Sequence, residues 1–201
     1  VTMSMALTPV LVSLAPRLVP KSERTRTEDF DGAGGSVLLI GFGRFGQIVS
    51  QMLLAEGIEV TAVDNDVEMI EAAERFGFRV YFGDGSRLDV LRASGAAEAE
   101  IIAVCVDKRE AANHIVEVAR EAFPLAKLYV RAFDRGHVLE LAEIGIDYHM
   151  RETFESAIAF ARASLAELER TTERIDELEA EFRTRDRERL VVQQHGGVDA
   201  G

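Results

Sequence analysis

Gly41, Gly43 and Gly46 stand in the run Gly-Phe-Gly-Arg-Phe-Gly, directly after the apolar stretch Ser36-Val-Leu-Leu-Ile40. Glycine has a separate use at each place in a nucleotide-binding turn. The first permits a tight turn, the second lets bare backbone approach a pyrophosphate, and the third lets the next helix pack close to the strand. That helix then offers free N–H groups and a positive dipole end to the phosphates. Phe42, Arg44 and Phe45, between the glycines, belong to the same cradle. Asp64 lies eighteen residues beyond Gly46. A nucleotide site of this kind places there the carboxylate that accepts hydrogen bonds from the adenosine ribose, and Asn65 adjoins it. A carboxylate repels a 2′-phosphate, so the pattern points to NAD(H) or AMP rather than NADP.

Two further acids fall at the ends of apolar runs. Asp84 and Gly85, in Gly-Asp-Gly-Ser, reach the adenine-ribose end on one reading, while on another Asp84 makes an Asx turn. Val106 and Asp107 end a later run, opposite the glycine turn, where the second half of a dinucleotide lies; Asp107 equally suits a helix cap. Catalytic residues are harder to find. His114 falls within a helical stretch and His137 begins one, which suits packing or capping. Tyr148-His149 carries no dehydrogenase signature, and no His, Asp and Glu cluster has metal-ligand spacing. The reading is a nucleotide site with no catalytic residues and no metal, which points to sensing.

The elements that position these residues alternate along the chain. Strands are expected over Ser36–Ile40, Glu59–Asp64, Arg79–Phe82, Ile101–Val106, Lys127–Phe133 and Asp147–Met150. Helices are expected over Arg44–Glu56, Val67–Phe76, Arg87–Ser94 (capped by Ser86), Arg109–Ala122 and His137–Ile144. In Arg44–Glu56 the apolar residues Phe45, Ile48, Val49, Met52 and Leu53 recur near the helical period. Gly57 and Gly77 close the first two helices. Six strands in strict alternation with helices predict an α/β fold, a Rossmann-like doubly wound parallel sheet spanning 36–150. Residues 151–190 read as peripheral amphipathic helix, one long or two shorter, with a spare apolar stripe suited to another chain.

Composition bounds the rest. The chain has 201 residues, 47% of them hydrophobic, and a formal charge of −12. Such an acidic balance argues against a nucleic-acid partner, which needs a basic surface. The single cysteine, Cys105, lies in an apolar run and reads as a buried structural thiol. Residues 1–20 are apolar and contain no acid, which suits either the end of a membrane helix or a loose arm. Residues 21–35 are polar and glycine-rich, a linker by composition, and residues 191–201 are expected to be a disordered tail.

The order of several segments carries a resemblance. Gly41-Phe42-Gly43-Arg44-Phe45-Gly46-Gln47, Val-Asp64-Asn65-Asp66, Arg75-Phe76-Gly77, Gly83-Asp84-Gly85-Ser86-Arg87-Leu88-Asp89-Val90-Leu91, Arg131-Ala132-Phe133-Asp134 and Arg151-Glu152-Thr153-Phe154-Glu155 follow one another. Over about residues 36–168 the set resembles the cytoplasmic regulatory domain (RCK or KTN, TrkA-N type) of Kef-type glutathione-regulated potassium efflux systems. The resemblance implies a domain that binds NAD(H) or AMP and dimerises through its peripheral helices. It implies gating of a transmembrane potassium:proton antiporter at the cytoplasmic face of the bacterial inner membrane, with an ancillary regulatory subunit as a further partner. Residues 5–14 then resemble the end of the last membrane helix. It also implies a regulatory ligand, glutathione or its adducts, near Gln51, Phe76, Arg131, Asp134 and Arg151. Phe76 matches the aromatic side chain that an adduct displaces, and Arg151 suits a peptide carboxylate.

Two departures count against glutathione. Gln51 stands where glutathione-gated members carry arginine. Their Phe-Asn pair is absent as well, the nearest stretch here being Arg183-Thr184-Arg185-Asp186-Arg187. Charged hydrogen bonds are worth roughly 1.5–3 kcal/mol each, so these losses weaken a tripeptide site while leaving the nucleotide site intact. Two other functions fit parts of the pattern: a detached TrkA-like subunit of a potassium uptake system, and a small NAD-dependent oxidoreductase.

Overall fold

The computed structural model of the protein describes residues 27–196. Short apolar runs form the middle of one sheet because both of its faces are covered. All four residues of β1 (Val37–Ile40) are buried, as are three of the four in β4 (Ile101–Val104). With β2 (Val60–Asp64), β3 (Val80–Phe82), β5 (Lys127–Ala132) and β6 (Tyr148–Arg151) they make a six-stranded sheet of order β3-β2-β1-β4-β5-β6. Every pairing is parallel. The order reverses between β1 and β4, and the crevice outside the strand ends at such a reversal is where this architecture binds ligands.

Helices α1 (Arg44–Ala55) and α2 (Val67–Arg75) cover one face, over a core of Leu39, Phe42, Ala62, Ile70 and Val80. The other face carries α3 (Leu88–Ala93), α4 (Arg109–Ala122) and α5 (Arg135–Ile144), over Leu38, Val63, Leu91, Ile102, Val116, Leu128 and Leu141. Asp66 caps α2 by accepting from the N–H groups of Glu68 and Met69 at 3.0 and 3.2 Å. Asp147 accepts from the Leu128 N–H at 2.8 Å and from Arg120 at 2.7 Å, fixing the entry into β6.

Several boundaries differ from the sequence expectation for local reasons. Ser86 does not cap α3: its own N–H and hydroxyl both donate to Asp84, and Arg87 takes the cap position without a side-chain bond. Helix α5 begins at Arg135, two residues early, because Asp134 accepts from the His137 N–H at 2.8 Å. Residues 151–190 hold two helices, α6 (Glu152–Glu167) and α7 (Thr172–Gly196), broken where Glu169 adopts a positive φ of 57°. Helix α7 runs on to Gly196, so residues 191–196 are helical where a disordered tail was expected. Residues 197–201 lie outside the described residues, as does the stretch 1–20 read as the end of a membrane helix. The linker reading of 21–35 gives way at its far end, where Phe30 and Ala33 pack against the core. Among the described residues no helix is long and apolar enough to cross a membrane.

Leu128 is fully buried under α4 and α5. Leu128→Ala should lower the unfolding free energy by about 2–5 kcal/mol, read from urea denaturation followed by circular dichroism.

Candidate nucleotide site

The crevice forms where three glycines let backbones meet. Gly41 has φ of 95°, and a Cβ there would lie 2.8 Å from the Val106 backbone nitrogen. A Cβ at Gly46 would collide with the Gly41 carbonyl oxygen, and one at Gly85 with the Ile40 side chain. These contacts bring the start of α1, the β3–α3 turn and the end of β4 against the end of β1. Gly43 differs, because a Cβ there would meet nothing within 4 Å. It is the N-cap of α1, with no side-chain cap and no acid in the first turn. The first N–H groups of α1 are therefore left for an anion, with the helix dipole in its favour.

Asp64 braces this turn. Its Oδ2 accepts from the Phe42 N–H at 2.6 Å and its Oδ1 from the Asp66 N–H at 2.8 Å. Each carboxylate oxygen keeps a further lone pair free to accept another hydrogen bond. Gln47 holds the turn from the other side, donating to the Phe42 carbonyl oxygen at 3.2 Å. Phe42 is buried under Phe78, whereas Arg44 and Asn65 are exposed at the mouth and Phe45 is half-buried. Asp84 makes the Asx turn, accepting from the Ser86 N–H at 2.9 Å and the Ser86 hydroxyl at 2.7 Å. Asp107 is no helix cap; Lys108 holds that position, and Asp107 pairs with Arg131. Cys105, beside Gly41, is buried, which pushes its thiol up to about 12 and leaves it protonated.

A second polar group lies at the ends of β5 and β6. Arg131 bridges Asp107 and Glu152 and stands over the Phe45 ring. Asp134 caps α5, and beneath it His137 is 1% exposed. The Nδ1 of His137 accepts from the Phe133 N–H at 2.9 Å, so its Nε2 carries the proton and donates to Asn113 at 2.8 Å. Burial and the nearby Arg109 lower its pKa, so the ring is neutral at pH 7. Asn113 and Arg109 also hold Glu140, whose carboxyl falls to about 2 through the Arg109 and Asn113 hydrogen bonds. His137 is thus a structural link between α4 and α5, and His114 is exposed on α4.

The five residues expected around a glutathione-like ligand occupy separate elements of the chain. Gln51 is exposed on α1, and Phe76, 82% exposed, follows α2. Arg131, Asp134 and Arg151 stand at the β5–β6 edge with partners inside the chain. Arg151 lies over the Phe154 ring at 4.0 Å and forms a bidentate pair with Asp186 of α7, which Arg135 also binds at 2.6 Å. Asp186 is 5% exposed, and sequence reasoning gave no sign of this. Within an arginine- and acid-rich helix, nothing in the spacing sets that carboxylate apart. Among the described residues no group of three His, Cys, Asp or Glu side chains is placed to hold a metal ion.

Breaking a buried pair by removing one partner costs about 3–5 kcal/mol, so Asp186→Asn should lower stability by a large part of that amount. Burial alone would raise the Asp186 pKa, but hydrogen bonds from Arg151 and Arg135 outweigh it, and the value falls below the ordinary 3.8. A depressed carboxylate contributes stability above its unfolded pKa and loses it as pH falls through the folded one. Urea midpoints measured downward from pH 6 should show an acid loss below about pH 3.8 that is smaller in Asp186→Asn.

Comparison with known proteins bears on the fold and the family. The model of the TrkA-N domain family matches residues 37–152. A glutathione-regulated potassium-efflux system protein of Haemophilus influenzae is 39% identical over 198 residues, which is 94% of this chain and 32% of that protein. The potassium-efflux protein KefC of Escherichia coli is 36% identical over 170 residues, 84% of this chain and 27% of that protein. The chain thus spans about a third of the length of these relatives or less. Among solved structures, the AMP-bound C-terminal domain of Shewanella denitrificans Kef superposes with a TM-score of 0.72 at 30% identity, covering 79% of this chain and 97% of that one. The NAD-bound GsuK channel shares the fold at TM-score 0.58 and 18% identity, over 78% of this chain and 28% of that one. The chain therefore belongs to the TrkA-N domain family and has the fold of the Kef C-terminal domain.

Proposed function

We propose that this chain is the nucleotide-sensing regulatory domain of a Kef-type potassium:proton antiporter, acting at the cytoplasmic face of the bacterial inner membrane. One observation carries the reading. The uncapped start of α1 and the Asp64 carboxylate share one crevice, in a chain 30% identical to a Kef domain solved with AMP. In this reading AMP or NAD(H) sets a phosphate against the backbone from Gly41 to Gly46, and Asp64 accepts from the ribose hydroxyls. Asn65, Asp84 and Gly85 adjoin the adenosine end, while Val106 and Asp107 adjoin the other half of a dinucleotide. The nucleotide is a signal and undergoes no reaction. It shifts gating only by as much as its affinity differs between the open and closed transporter.

Nucleotide control is favoured over glutathione control because Arg151 is already committed to Asp186. The partner is a transmembrane antiporter domain, with a second copy of this chain joined through the peripheral helices and an ancillary subunit besides. The peripheral helices offer such a surface: Phe154, Ile158, Leu165, Leu178 and Phe182 line a groove of about 480 Å³ between α6 and α7.

Calorimetric titration with AMP, NADH, reduced glutathione and a bulky glutathione adduct tests the reading. AMP or NADH should bind, and Asp64→Ala should weaken binding about tenfold or more, since charged hydrogen bonds are worth ~1.5–3 kcal/mol. Undiminished nucleotide affinity in Asp64→Ala, or tight binding of glutathione alone, would overturn it.

A further inference from the structure

The segment ahead of β1 is tied to the same turn that carries Asp84. From Gly35, which packs beside Glu59 just before β2, the chain runs back across β2 and β3 to the turn after β3. The Gly34 N–H donates to Thr61 Oγ1 at 3.0 Å, and the Ala33 N–H to the Phe30 carbonyl oxygen at 2.9 Å. Tyr81 of β3 and Arg79 just before it both donate to the Asp31 carbonyl oxygen. Phe30 stacks on Tyr81 with ring centroids 5.7 Å apart, and its far edge fills the space where a Cβ on Gly83 would lie. Glu28 then pairs with Arg87 at 2.7 Å. Phe30 and Glu28 thus bracket the turn Gly83-Asp84-Gly85-Ser86-Arg87. Inside that bracket the Asp84 carboxylate holds Ser86, and the Asp84 carbonyl oxygen accepts from the Arg87 N–H at 3.0 Å.

We propose that residues 28–34 form a strap whose docking is coupled to nucleotide occupancy, so that the ligand's presence is passed to the polypeptide preceding the domain. This rests on the nucleotide reading of the crevice. A ligand that engages Asp84 or Gly85 fixes the turn, and a fixed turn presents Gly83 and Arg87 to Phe30 and Glu28 in one arrangement. The coupling is reciprocal: whatever loosens the strap weakens the ligand by the same factor that the ligand tightens the strap. The ion pair alone contributes little, being exposed. The Phe30–Tyr81 stack, the Gly34 bond to Thr61 and the bonds from Tyr81 and Arg79 to the Asp31 carbonyl carry most of the docking, while the Ala33 bond holds the strap's own turn.

The test uses the full 201-residue chain with AMP as probe. AMP should slow amide hydrogen exchange at Ala33 and Gly34. Phe30→Ala should weaken AMP about fivefold or more, although Phe30 contributes nothing to the phosphate or ribose seats. Phe30→Tyr should retain affinity, and Glu28→Lys should lower it in the same sense as Phe30→Ala but less. If Phe30→Ala fails to fold, Glu28→Lys and the exchange measurement decide. Unchanged exchange together with equal AMP affinity in wild type and the strap variants would overturn the coupling and leave the nucleotide site standing. Failure of AMP to bind the wild-type chain would overturn both.

Discussion

The whole arrangement depends on how closely backbone approaches the end of β1. Three neighbours crowd it: Val106 against Gly41, the start of α1 at Gly46, and the β3–α3 turn at Gly85. At each contact a side chain would displace main chain or a buried isoleucine. Close packing there brings the free N–H groups of α1, the Asp64 carboxylate and the Asp84 turn together, and it leaves Gly43 open on the solvent side. Asp64 serves this constraint before it serves any ligand, because its bond to the Phe42 N–H fixes the loop.

This part of the molecule was legible because it is local. Gly41, Gly43, Gly46 and Asp64 fall at separations set by one strand–turn–helix–strand unit, and apolar runs such as Ile101–Val104 announce strands covered on both faces. The strand order β3-β2-β1-β4-β5-β6 is that of two βαβ-type halves meeting between β1 and β4. Roles fixed by long-range pairing were not legible. Asp186 looks like any acid on a charged helix until α7 folds back on Arg135 and Arg151, 51 and 35 residues away. Ser86 was misread as a cap, and the capping alternative for Asp107 fails for a related reason. Each suits a helix start, but Asp84 claims the first and Arg131 the second. Phe30 was hidden in a polar stretch, where one aromatic side chain outweighs the composition around it.

The acidic chain spends its arginines with economy at the edge of the sheet. Arg109, Arg131, Arg135 and Arg151 each meet a carboxylate from another element. The Arg131 bridge joins the loop after β4 to the start of α6, so the crevice and the peripheral hairpin are linked by charge as well as by chain. Two discrete arrangements of such links are what a regulatory domain needs, because packed elements exchange between states rather than deform continuously.

Helix α6 buries no residue at all, and among the described residues of α7 only Ile175 and Asp186 are buried. The hairpin is held by ion pairs, one aromatic stack, the Asp186 anchor and a few apolar contacts such as Ile175 and Leu190, while the sheet is held by a continuous apolar core. With so few buried apolar contacts, the hairpin's opening free energy is expected to lie below that of global unfolding, as for other locally opening units. The crevice thus rests on the apolar layer and the peripheral helices on a mostly polar one, so acid and salt act on the second before the first.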